Sequence, residues 1–134
     1  MAESDVQAGG GDEAAEPAVS TNVAGEVVTV VVEGELSEAA RRPLVRTLTD
    51  LLLGGTPVQR VDLDLRAVGF MNSAGMAVLV QLQKMAAPRG VEVALVAPPA
   101  AVARPLQLTG LWHRFPIVDA DGSVSGAPGS SPGS

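Results

Sequence analysis

The chain has 134 residues, 46% of them hydrophobic, a formal net charge of −6 and no cysteine. That length suits one domain with residues to spare, and zero cysteine excludes a disulfide scaffold, a Cys-based zinc site and a thiol nucleophile. Aromatic content is 2%, from Phe70, Trp112 and Phe115, which argues against a base-stacking platform, and the acidic balance argues against a phosphate-backbone binder.

Residues 1–21 hold five acids and no base. Asp119 and Asp121 follow the last base, leaving eight acids against all nine bases in residues 22–118. The acidity therefore belongs to the ends. Residues 1–21 have neither a basic n-region nor an apolar h-region, so no signal peptide is expected there. They read as a disordered acidic tail. No apolar run is long enough for a membrane span. Residues 119–134, rich in Gly, Ser and Pro, read as a second disordered tail. The domain is expected over 22–118.

A weak signal near Thr21–Val23 allows an N-terminal strand in a hairpin with the next. Residues 26–33, EVVTVVVE, are β-branched and bounded by Gly25 and Gly34, and predict a strand. Leu44, Leu48, Leu51 and Leu52 share one helical face. Pro43 fits a first turn, so the helix is expected to start near Arg42. Gly54, Gly55 and Pro57 end it. Residues 60–66, RVDLDLR, alternate strictly and predict a second strand, followed by a loop through Gly69. A second helix is expected over Ala74–Ala87, with Met76, Leu79, Val80 and Met85 as buried positions. VEVALV at 91–96 predicts a third strand. A short helix over Ala100–Leu108 and an edge strand within Phe115–Val118 complete the pattern. Strands alternating with helices imply right-handed crossovers and a mostly parallel sheet.

The chemistry available is limited. No phosphate-binding glycine loop is present. The one histidine, His113, has no nucleophile motif to serve and reads as an ordinary surface or partly packed residue. Asp62 and Asp64 share a strand face, but no third oxygen ligand accompanies them, so no metal site is expected. The informative segment is Gly69-Phe70-Met71-Asn72-Ser73-Ala74-Gly75-Met76. It leaves the carboxyl end of a strand and opens a helix, where ligands and partners approach an α/β sheet. Asn72 or Ser73 is a natural N-cap. Ala74 and Gly75 leave the first turn bare, open to the close approach of a partner backbone. A phosphoryl group on Ser73 would meet unpaired N–H groups at the positive end of the helix dipole. Read from the residues alone, the plain helix cap is the favoured role of Ser73.

Three blocks resemble the STAS domain family, and within it the bacterial anti-sigma factor antagonists. Val32-Glu33-Gly34-Glu35-Leu36-Ser37 resembles the family's first strand-to-helix turn. Val61–Leu65 followed by Val68–Met76 resembles its central strand and serine-bearing turn. Leu108-Thr109-Gly110-Leu111 resembles its late Gly-Leu segment. The resemblance covers residues 22–118. It implies a small, mostly parallel mixed α/β sheet of four to five strands with helices packed on it. It also implies a cytoplasmic binding protein without enzymatic activity or cofactor, a monomer or weak dimer. Its implied partner is an anti-sigma factor serine kinase, whose capture releases a sigma factor. Reversible phosphorylation falls on Ser73, undone by a PP2C-type phosphatase, and Ser37, Asn72, Ser73, Ala74, Gly75 and Met76 form the partner surface. Asn72 and Ser37 each stand where the family carries aspartate. The alternatives are an accessory subunit without a phosphorylation switch, as on a lipid-transport ATPase, and a small-molecule or nucleotide-binding module.

Overall fold

The computed structural model describes residues 16–120 and 123–125. Among the described residues six strands form one sheet in the order of the chain: β1 Ala18–Ala24, β2 Val27–Leu36, β3 Arg60–Met71, β4 Glu92–Val96, β5 Ile117–Val118 and β6 Val124–Ser125. β2 through β5 are parallel, and the outer pairs β1/β2 and β5/β6 are antiparallel. The helices are α1 Arg41–Leu53, α2 Ser73–Ala86 and α3 Ala100–Thr109. This is the small, mostly parallel α/β sheet that the strand–helix alternation predicts, with the two-residue β6 added at its edge. β1 begins inside the stretch assigned to the acidic tail, and β6 lies inside the stretch assigned to the other. The rest of those expected tails, residues 1–15, 121–122 and 126–134, lies outside the described residues.

Each crossover from β2 to β5 steps to the next strand in the same direction. Right-handed connections that all step one way put α1, α2 and α3 on a single sheet face. Burial agrees. Val28, Val30 and Val32 of β2, Val61, Leu63 and Leu65 of β3, and Val93 and Leu95 of β4 form one apolar cluster with Leu44, Leu48, Val78, Leu79, Leu82, Val102 and Leu106 of the helices. The alternate residues Thr29, Val31, Asp62, Asp64 and Val96 lie outside that cluster, on the opposite face. Phe115, two residues before β5, belongs to the cluster and is fully buried.

Two expectations are corrected. The loop through Gly69 is strand: β3 continues to Met71. Its register against β2 slips twice, between Val31 and Glu33 and between Gly34 and Glu35, so β3 carries extra residues there. Inward positions accordingly change spacing, running Val61, Leu63, Leu65, Val68, Met71. Such bulges break the period of two and bend the strand. In α2 the fully buried positions are Gly75, Val78, Leu79, Leu82 and Ala86. Leu79 was expected. Met76, Val80 and Met85 only flank the core.

Candidate functional site

Adjacent parallel strands end together at one rim of the sheet. Leu36 of β2 pairs with Met71 of β3, so the turns that follow, at Ser37 and Asn72, are neighbours. The motifs that suggested these turns lie 35 residues apart in sequence, and the parallel register brings them together.

Asn72 is the N-cap of α2. Its backbone is extended (φ −111, ψ −174), and its Oδ1 accepts the Gly75 N–H at 2.9 Å. Its carbonyl accepts the Met76 N–H at 3.0 Å. Its own N–H donates to the Leu36 carbonyl at 3.2 Å, a bond that ties the two turns together. The alternative capping residue, Ser73, is instead the first residue of the helix and is exposed. Asn72 satisfies one of the orphan donors of the first turn. The N–H groups of Ser73 and Ala74 have no partner among the described residues.

Ser37 is buried, at 5% exposure. Its Oγ accepts the Ala39 N–H at 3.3 Å and caps a 3-10 turn over Glu38–Ala40 that leads into α1. Ser37 therefore occupies the rim as a capping group, with its side chain turned to its own backbone. Gly75 has a different role from the expected one. It is buried, and a Cβ built on it would lie 1.9 Å from the Leu36 carbonyl oxygen. The backbone that comes close to it is that of β2, which fills the space the sequence left open for a partner. Ala74 and Met76 are half-buried.

Two exposed apolar side chains stand near the ends of β3 and α3, both within segments the sequence singles out. Phe70 is 46% exposed and Leu108 78% exposed. The Thr109 hydroxyl lies 3.9 Å from the Met76 sulfur, which brings the end of α3 to the start of α2. Arg41 pairs with Glu38 at 2.9 Å and also donates to Gln81 of α2, linking the two helices behind the rim. The hydrogen bond from Arg41 to Glu38 holds the Glu38 carboxyl below its ordinary range.

The other candidates are placed elsewhere. Asp62 and Asp64 lie on the helix-free face, each 8% exposed. Arg60 grips Asp62 through Nε at 2.7 Å, and Arg66 grips Asp64 at 2.6 Å. The Arg66 hydrogen bonds push the Asp64 carboxyl below its usual value. Each carboxylate is thus occupied by a guanidinium, and no group of three acidic or metal-ligating side chains occurs among the described residues. His113 is exposed in a 3-10 turn over Leu111–Arg114.

The family model described as the STAS domain matches residues 18–122. No curated protein matches the chain. Among solved structures, tm1081 from Thermotoga maritima is 26% identical, with a TM-score of 0.66 over 74% of this chain and 84% of that one. An anti-sigma factor antagonist from Mycobacterium paratuberculosis is 24% identical, with a TM-score of 0.65 over 76% and 85%. The phosphorylated form of the Bacillus cell fate determinant SpoIIAA is 21% identical, with a TM-score of 0.57 over 77% and 91%. The likeness to the last two is one of fold. Because that family model matches well over half of its length, the chain belongs to the STAS domain family.

Proposed function

We propose that the protein is an anti-sigma factor antagonist of the cytoplasm, a binding protein rather than an enzyme. It captures an anti-sigma factor serine kinase at the rim formed by the Ser37 and Asn72–Met76 turns and so releases a sigma factor. Phosphorylation of Ser73 reverses the capture. The observation that carries this reading is the position of Ser73: exposed, at the first residue of a 14-residue helix. Two helix N–H groups beside it lack partners among the described residues. The kinase moves the γ-phosphoryl group of ATP to Ser73 Oγ; ADP leaves and the hydroxyl proton is released. The new group brings about −1.5 to −2 charges to the positive end of a helix dipole, which tolerates it. The same charge faces the partner on a turn that begins just after exposed Phe70, three residues earlier in the chain, and disrupts an apolar contact there. A PP2C-type phosphatase restores the hydroxyl.

Asn72 and Ser37 keep the capping geometry without the carboxylates of the family pattern. That loss favours a second reading, an accessory subunit without a switch on a lipid-transport ATPase. Affinity capture of the full chain, followed by incubation of the captured complex with ATP and mass mapping, separates the two. A serine kinase that modifies wild type but not Ser73→Ala supports the first reading. Equal modification of Ser73→Ala overturns the site, and capture of a transport ATPase alone overturns the role.

A further inference from the structure

A groove between α1 and α2 is lined by Glu16, Glu38, Arg41, Arg42, Arg46 and Gln81. Three guanidinium groups fall within the first six residues of α1, and its first turn holds no acid. Cations at a helix N-terminus oppose the helix dipole. Arg42 and Arg46, at i and i+4, also repel each other on one helix face. Glu38 neutralises Arg41. Arg42 and Arg46 are exposed, and neither has an ion-pair partner among the described residues. The groove is thus short of negative charge.

The chain supplies that charge at the groove's own edge. Glu16, the first described residue, lines it. Residues 1–15 precede it and carry Glu3, Asp5, Asp12 and Glu13 with no Lys or Arg. At about 3.3–3.6 Å per residue, Glu13 and Asp12 lie within roughly 10–14 Å of Glu16 along the chain, and Glu16 lines the same groove as Arg42 and Arg46. We propose that the acidic segment 1–15 docks in this groove, pairing its carboxylates with Arg42 and Arg46. The segment would then cover the surface beside the 3-10 turn that Ser37 caps. The inference needs neither kinase nor phosphate and stands apart from the role of Ser73.

The absence of cysteine makes one introduced thiol unique. The test places a nitroxide on Ala8→Cys in the full chain and reads paramagnetic broadening of backbone amide signals. The expected result is loss of intensity across residues 38–46. That loss disappears in Arg42→Glu/Arg46→Glu and at about 1 M salt, where the Debye length falls to about 3 Å. Both substituted residues are exposed, and unchanged dispersion of the amide spectrum shows that the variant folds. Three results overturn the proposal: no broadening in the wild-type background, broadening that survives the double charge reversal, or broadening of an unlabelled isotopic copy mixed with the nitroxide-bearing chain. The last assigns the groove to a second copy.

Discussion

Replacing Gly75 with alanine tests how α2 sits against β2, because the two demands on this residue point in opposite directions. Helix propensity favours alanine by up to about 1 kcal/mol. Packing opposes it. The new Cβ would lie 1.9 Å from the Leu36 oxygen, 2.4 Å from its carbonyl carbon and 2.9 Å from its Cβ. Two of these atoms are backbone, so no rotamer change relieves the clash. Restoring a 3.0 Å separation from the oxygen requires the helix start and the strand end to part by about 1.1 Å. Overpacking of this kind costs about 1–3 kcal/mol. The same movement strains the hydrogen bond from Asn72 N–H to the Leu36 carbonyl, worth about 0.5–1.5 kcal/mol. Set against the propensity gain, these costs leave a net loss for Gly75→Ala centred on about 2 kcal/mol. For a domain of this size that is a fall of about 8–16 °C in Tm. Gly69→Ala is the control. Gly69 is exposed in β3, and nothing lies within 4 Å of the position its Cβ would take; that variant is expected to match or slightly exceed wild type, because glycine weakens a strand interior. Thermal and urea unfolding of both variants decides the matter. A Gly75→Ala protein as stable as wild type would show that the helix start does not rest on β2, and the description of the rim would fall with it.

Asn72→Ala removes the cap on Gly75 N–H and is expected to cost about 1 kcal/mol in urea unfolding. Asn72→Asp keeps the cap, adds a charge that the dipole favours by about 0.3–1 kcal/mol, and should be at least as stable as wild type. Asp64 has a folded-state pKa depressed by Arg66. Its contribution to stability is therefore present above the unfolded value near about 3.9 and lost as pH falls through the lower folded value. Asp64→Asn should destabilise the protein at pH 7, with the gap to wild type closing under acid in urea titrations at stepped pH; a gap independent of pH would contradict the ion pair. Phe115→Ala empties the largest fully buried side chain and should cost about 3–5 kcal/mol by the same assay.

What could be read from the sequence and what could not divide along physical lines. α1 is legible because its leucines recur at helical spacing and Gly54, Gly55 and Pro57 stop it. The Asn72 cap is legible because short polar side chains before an apolar run satisfy orphan N–H groups. The second half of β3 is not, since its two bulges replace a period of two with steps of three. The buried face of α2 is hidden for a different reason. From Ala74 to Val80 every residue is apolar or glycine, so no polar contrast marks a face, and size misleads: the small residues Gly75 and Ala86 face inward while Met76 and Met85 sit at the margin. At the candidate site, Ser73 and its helix were visible locally. The pairing of Ser37 with Asn72, and the Leu36 carbonyl that joins them, depend on parallel register between strands distant in sequence.

The strand order also fixes the shape of the surface on which recognition can occur. Open α/β sheets form a crevice where the direction of strand addition reverses, because helices there leave to opposite sides. Here β2 to β5 follow one another without reversal. The carboxyl ends of the strands therefore form an unbroken ledge backed by helices on one side, with no fork to enclose a small molecule. Such a ledge suits another protein's surface, and specificity on it comes from the outline of neighbouring turns rather than from the walls of a pocket. Under the proposed role, charge added at Ser73 would meet the partner on this ledge directly, with no cavity wall to shield it.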